Sequence, residues 1–95
     1  MKNAYVVGHI TVKDKDKWNE YRTKVSATLE SWGGKLVFRG KLYAILSGNH
    51  VHHDTVVIRF PDLAAINSWY ASAEYQSLIT LRQEAADMEL LSYEE

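Results

Sequence analysis

An α+β fold on one four-stranded antiparallel sheet follows from three features of the chain. Apolar residues alternate over Asn3 to Val12 and over Asp54 to Phe60, the period of strands with two faces. Between Asp14 and Trp32 they recur every three or four residues, the period of a helix with one apolar stripe. Two further strand-like runs, Lys35 to Ser47 and Asp87 to Tyr93, and a helical stretch after Phe60 complete the order β-α-β-β-α-β. Two β-α-β halves around one sheet predict the ferredoxin-like arrangement, with the first and third strands central and adjacent.

In the first strand Ala4, Val6, Gly8, Ile10 and Val12 share one face, and Tyr5, Val7, His9 and Thr11 share the other. The first set is small and apolar, which lets helices approach closely, so it is assigned to the helix side. Because imidazole as a side-chain type has an unperturbed pKa near neutrality, His9 is a candidate general base; its plainer reading is a histidine hydrogen-bonded in the sheet or an interface. Asp14 is placed to cap the following helix, whose stripe is Trp18, Tyr21, Val25, Leu29 and Trp32, and Gly33-Gly34 ends it. Trp18 and Trp32 are read as core. In the second strand Leu36 and Phe38 share a face, Val37 and Arg39 the other, and Gly40 marks a bulge or a close backbone approach. Arg39 is assigned to the face of His9, where its guanidinium requires a carboxylate, a carbonyl or an anionic ligand. Ser47 to Asp54 (SGNHVHHD) reads as a solvated polar loop. Its histidines are metal-ligand types, but a contiguous loop cluster lacks the distant second ligand group that fixes a geometry, so no metal site is expected.

After Phe60-Pro61, Asp62 is placed to cap a helix through Ala71, and Ser72 to cap a second one running towards Ala85. The joint brings Trp69, Tyr70 and Tyr75 together. Tyr75, Ile79 and Arg82 recur at helical spacing, which turns Arg82 towards the sheet. There it either pairs with Glu84, Asp87 or Glu89, or joins Tyr75 in presenting donors to a ligand's carboxylate or carbonyl oxygen.

The string Phe60-Pro61, Trp69-Tyr70, Ser72, Glu74-Tyr75-Gln76, Arg82 and Ala85-Ala86 resembles the signature of domain-of-unknown-function family 1330, in the dimeric α+β barrel superfamily. The resemblance extends along nearly the whole chain, through His9, Asp14, Tyr21 and Arg39-Gly40. Ala73 stands where that family usually has Pro, Lys41 where a second Gly often follows, and Ser47 where an acid is common. The resemblance implies two sheets meeting in a twofold dimer with the helices outside. The residues lead independently to the same expectation: Tyr5, Val7, Val37 and Val57 on the uncovered sheet face are too apolar to leave in water, and a second copy is expected to cover them.

Ninety-five residues are expected to form one domain, residues 1–95, with a single small core. A formal net charge of -1, with no basic run, argues against a nucleic-acid partner. The absence of cysteine excludes disulfides, thiolate metal sites and a cysteine nucleophile. No stretch has the length and apolarity of a membrane span or signal peptide, so a cytoplasmic protein without a membrane partner is expected.

The sequence supports three functions. The first is a homodimer binding a small anionic or aromatic molecule between helices and sheet, with Trp69, Tyr70 and Tyr75 as walls and Arg39 or Arg82 supplying charge. The second, implied by the superfamily resemblance, is a cofactor-independent monooxygenase or isomerase, with His9 as base and an arginine such as Arg39 stabilising an enolate-like oxyanion. The third, also by resemblance, is a haem-handling protein, for which Asn3 and Trp69 occupy broadly suitable elements. The second half-helix lacks the histidine that reading requires, so no cofactor is expected. A purely structural dimer, with every arginine and His9 satisfied by protein partners, is the remaining alternative.

Overall fold

The computed structural model describes residues 2–95. Strands β1 (Ala4–Val12), β2 (Lys35–Lys41), β3 (Asp54–Phe60) and β4 (Ala86–Glu94) form one antiparallel sheet in the order β2-β3-β1-β4. The first and third strands are central and adjacent, as the element order predicts, and the fold is ferredoxin-like. Ala4 pairs with Phe60 and Ile10 with Asp54 across β1 and β3.

Helix α1 (Lys15–Leu29) begins where Asp14 Oδ1 accepts the Lys17 amide at 3.1 Å. It tightens into a 3-10 turn (Glu30–Trp32) and stops at Gly33, whose φ of 74° is left-handed. The Gly34 amide then donates to the Leu29 carbonyl at 3.0 Å, satisfying an end-of-helix acceptor. Helix α2 (Leu63–Ala71) is capped by Asp62, which accepts the Ala65 amide at 2.8 Å. Ser72 acts at the joint in both directions. Its hydroxyl donates to the Trp69 carbonyl at 2.6 Å and accepts the Tyr75 amide at 3.2 Å, opening α3 (Ala73–Gln76). The expected continuous run to Ala85 breaks again after Gln76, and α4 (Ile79–Ala85) starts without a side-chain cap and passes directly into β4.

All helices lie on the face of Ala4, Val6, Gly8 and Ile10, the small apolar set. The core between the layers joins these to Val56, Ile58 and Phe60 of β3, Tyr21 and Leu29 of α1, and Trp69 and Tyr75 of the broken helix. A Cβ at Gly8 would come within 3.0 Å of Val56 Cγ1, so glycine is needed there for close packing. Trp18, Val25 and Trp32 pack half-buried against this core.

The second strand departs from expectation in two ways. It ends at Lys41 rather than Ser47, leaving residues 42–53 as a connection in which Tyr43 and Leu46 are almost fully exposed. Its bulge also lies earlier than Gly40. Leu36 is opposite Ile58 and Phe38 is opposite Val57, so Val37 is the extra residue. Gly40 is instead a point of close approach, where an added Cβ would fall 2.5 Å from Phe38 Cζ. The bulge reverses side-chain parity. Phe38 and Gly40 now share the open face with Val57 and Thr55, while Arg39, opposite Val56, projects to the helix side.

The face away from the helices carries Tyr5, Val7, Val57, Phe38, Leu91 and Tyr93, and the last three are each 40% exposed or more.

Candidate functional site

One turn after another, α1 presents Lys15, Trp18, Asn19 and Arg22 along a single edge, at the spacing that stacks side chains on one side of a helix. Facing them across the sheet margin are Arg39 and Lys41 of β2 and Asp54 of β3, placed there by the bulge at Val37. The two edges enclose a cleft of about 510 Å³, within the size range of small-molecule sites. A narrow inner extension of about 30 Å³ runs from Trp18, Arg22 and Arg39 down to Val56, Trp69 and Met88. The mouth is therefore cationic and the inner end apolar.

Arg22 and Arg39 are the distinctive pair. Partial burial and the like charge of Arg22 pull the Arg39 guanidinium below its ordinary value. Among the described residues, the ion pairs are Lys13 with Asp87, Lys17 with Glu84, Lys24 with Glu20 and His52 with Glu89, and neither arginine joins one. Two guanidinium groups facing one space, with Asp54 the single acid on its lining, suit an anion that accepts from both.

The aromatic residues of the joint are placed differently. Trp69 and Tyr75 are core residues, 1% and 0% exposed. The Trp69 indole donates to Thr28 Oγ1 at 2.9 Å, tying the joint to α1. Tyr70 is exposed and, with Trp69, Ile66, Asn67 and Leu90, lines a second hollow of about 250 Å³ between α2 and β4 that contains no arginine. The expected wall of Trp69, Tyr70 and Tyr75 thus divides, with only Trp69 bordering both spaces and Tyr75 sealed in the core.

Arg82 does turn inwards, but its partner is not an acid. Its guanidinium donates to the Tyr75 hydroxyl at 2.8 Å, and that hydroxyl lies 2.9 Å from the Tyr21 hydroxyl. Burial by itself would lower Arg82, yet the Tyr75 hydroxyl outweighs it and the net shift is upward. Burial, reinforced by Tyr75, pushes the Tyr21 phenol far above the usual tyrosine range.

His9 lies on the open face, opposite Thr55 and Glu89 and beside Val7. Its Nδ1 is 3.2 Å from Thr55 Oγ1. His9 and Arg39 do not meet within a subunit, because the sheet lies between them. Arg59, opposite Tyr5, shares the face of His9.

The loop histidines are not simply solvated. His52 is buried, with Nδ1 2.9 Å from Thr11 Oγ1 and Nε2 3.4 Å from Glu89 Oε1. The His50 ring centroid is 5.1 Å from that of His9 and 6.1 Å from that of His52. The loop doubles back onto the open face because the His53 amide donates to Ile10 O at 3.1 Å and its carbonyl accepts from Leu42 at 2.7 Å. Sequence reading missed this cluster and also missed Lys15, Asn19 and Arg22. One signal for Arg22 was available: no acid stands three or four residues from it on the helix.

A family model described as a domain of unknown function (DUF1330) matches residues 3–95. No curated protein matches the chain. Among solved structures, the RPA0582 protein of unknown function from Rhodopseudomonas palustris is 19% identical, with a TM-score of 0.80 over 97% of this chain and 81% of its own. SnoaB, a cofactor-independent oxygenase from Streptomyces nogalater, is 13% identical, with a TM-score of 0.72 over 98% of this chain and 92% of its own. A dimeric ferredoxin-like protein of unknown function from Thermobifida fusca is 11% identical, with a TM-score of 0.66 over 97% and 90%. These structural likenesses establish the shared fold. Because the family match runs from the first strand through the last, the chain belongs to the DUF1330 family.

Proposed function

We propose that the protein is a homodimer that binds a small organic anion with an apolar body in the cleft between α1 and the β2–β3 margin. The observation that carries this reading is the pair Arg22 and Arg39, which face one cleft without a carboxylate partner. Two guanidinium forks there match a carboxylate, and Trp18 offers an aromatic wall beside them. Tyr70, Tyr75 and Arg82 take lesser parts: Tyr70 borders the neighbouring hollow, while Tyr75 and Arg82 hold the core side of the joint. Dimerisation is supported by the apolar open face and by the dimeric neighbour from Thermobifida fusca. Native mass spectrometry of gently purified protein, followed by titration with aromatic carboxylates, tests the reading. Arg39→Met and Arg22→Met should each weaken retention about tenfold or more, the loss of one charge-assisted hydrogen bond. Unchanged affinity in both variants would remove the cleft as the site.

A second reading is cofactor-independent oxygenase or isomerase chemistry with His9 as base. It is favoured by the likeness to SnoaB and by the hydrogen bond between His9 Nδ1 and Thr55 Oγ1, which orients the His9 ring. In this reading the oxyanion partner is not Arg39 of the same subunit. His9→Gln should abolish turnover while leaving the far-UV circular dichroism unchanged; retained turnover excludes His9 as the base.

A further inference from the structure

At one end of the open sheet face, three imidazoles from two segments are drawn together. His9 comes from β1, and His50 and His52 from the connection after β2, with successive ring centroids 5.1 and 6.1 Å apart. The group is sparsely countered. Glu89 of β4 is the acid that meets it, 3.4 Å from His52 Nε2. Asp87, next but one on β4 and opposite Thr11, is engaged by Lys13 at 3.4 Å. From β3 the contact is the neutral Thr55, and Thr11 of β1 bonds His52. His53 is held through its backbone and its residue is exposed, while Asp54 and Lys41 lie on the helix side of the sheet. The same open face continues from His9 into Val7, Val57, Leu91, Phe38, Tyr5 and Tyr93.

We propose that this His9–His50–His52 cluster makes the association of two copies depend on pH, holding the dimer near neutrality and releasing it as the pH falls through the imidazole range. The inference rests on the dimer reading given above. A second copy seated on this face removes water from the cluster, and desolvation disfavours imidazolium relative to imidazole. Closely spaced rings cannot all take up a proton without mutual repulsion, and Glu89 can neutralise only one. Protonation therefore favours the separated copies, where water reaches exposed His50 and half-buried His9, whereas His52 is already buried within its own subunit. By linkage, the dimer dissociation constant rises on the order of tenfold per pH unit for each proton taken up on separation. The loop that carries His50 and His52 also carries exposed Tyr43, Leu46 and Val51.

The test is sedimentation equilibrium of the full chain at matched ionic strength, about one pH unit above and one below the ordinary imidazole value of about 6.5. Far-UV circular dichroism is recorded at both pH values. The expected result is a dimer at the higher pH and at least a tenfold weaker one at the lower, with unchanged secondary structure. The triple variant His9→Gln, His50→Gln, His52→Gln should stay dimeric at both. If it does not fold, the exposed His50→Gln alone should flatten the dependence. A dimer of equal strength at both pH values overturns the switch while leaving the dimer reading intact, and a monomer at both overturns the two together. Lost secondary structure at the lower pH, or an unaltered pH dependence in the variants, also overturns the proposal.

Discussion

Tyr75 is fully buried with a phenolic hydroxyl, and two neighbours remove the penalty: Arg82 donates to it and the Tyr21 hydroxyl forms a hydrogen bond with it. Tyr21 is thereby locked neutral, its ionisation shifted upward chiefly by burial. The unfolded chain loses this proton above about pH 10 while the folded chain keeps it, so stability falls as pH rises beyond that point. Thermal midpoints should therefore drop on the alkaline side, and Tyr21→Phe should reduce that drop. At neutral pH the same substitution should cost about 1 kcal/mol in urea unfolding, the worth of one hydrogen bond. The arginines divide by partner. Arg82 is satisfied within the subunit, whereas Arg22 and Arg39 face the cleft, and this difference is why the proposed binding reading rests on the latter pair.

Among the elements, the broken helix depends on Ser72, which caps the start of α3 and is a closing contact for the helix before it. Ser72→Ala should cost about 1 kcal/mol. Trp69 stands directly beside the joint, with its centroid 4.4 Å from that of Tyr75, so tryptophan fluorescence during denaturation will report the change. Cap residues were readable in the sequence because capping is local, and Asp14, Asp62 and Ser72 all cap as their positions imply. The bulge in β2 was not. Nothing between Leu36 and Phe38 distinguishes Val37 as the extra residue until β3 is laid beside it, and Gly40 offered a false marker. That one-residue shift carried Arg39 from the face of His9 to the face of Trp18.

For the molecule as a whole, helices cover one side of the sheet and leave the other apolar. Leu91→Lys would set a charge at the middle of the open face, opposite Val7. It should shift the oligomer towards monomer in analytical ultracentrifugation without lowering helix content, since Leu91 is 40% exposed within the subunit. A monomeric parent protein would oppose the dimer reading at its root.

Element order, the two faces of β1 and β3, the helix caps and the apolar surplus on one sheet face were all determined by the sequence alone. Each depends on residues close in the chain or on a period of two or about 3.6, which a linear reading can see. The tertiary structure decided the rest: the side to which Arg39 points, the edge of α1 that becomes a cleft wall, and the folding of His50 and His52 onto His9. Those depend on strand register and on a loop anchored to a distant strand, where one residue of offset exchanges the faces of a sheet.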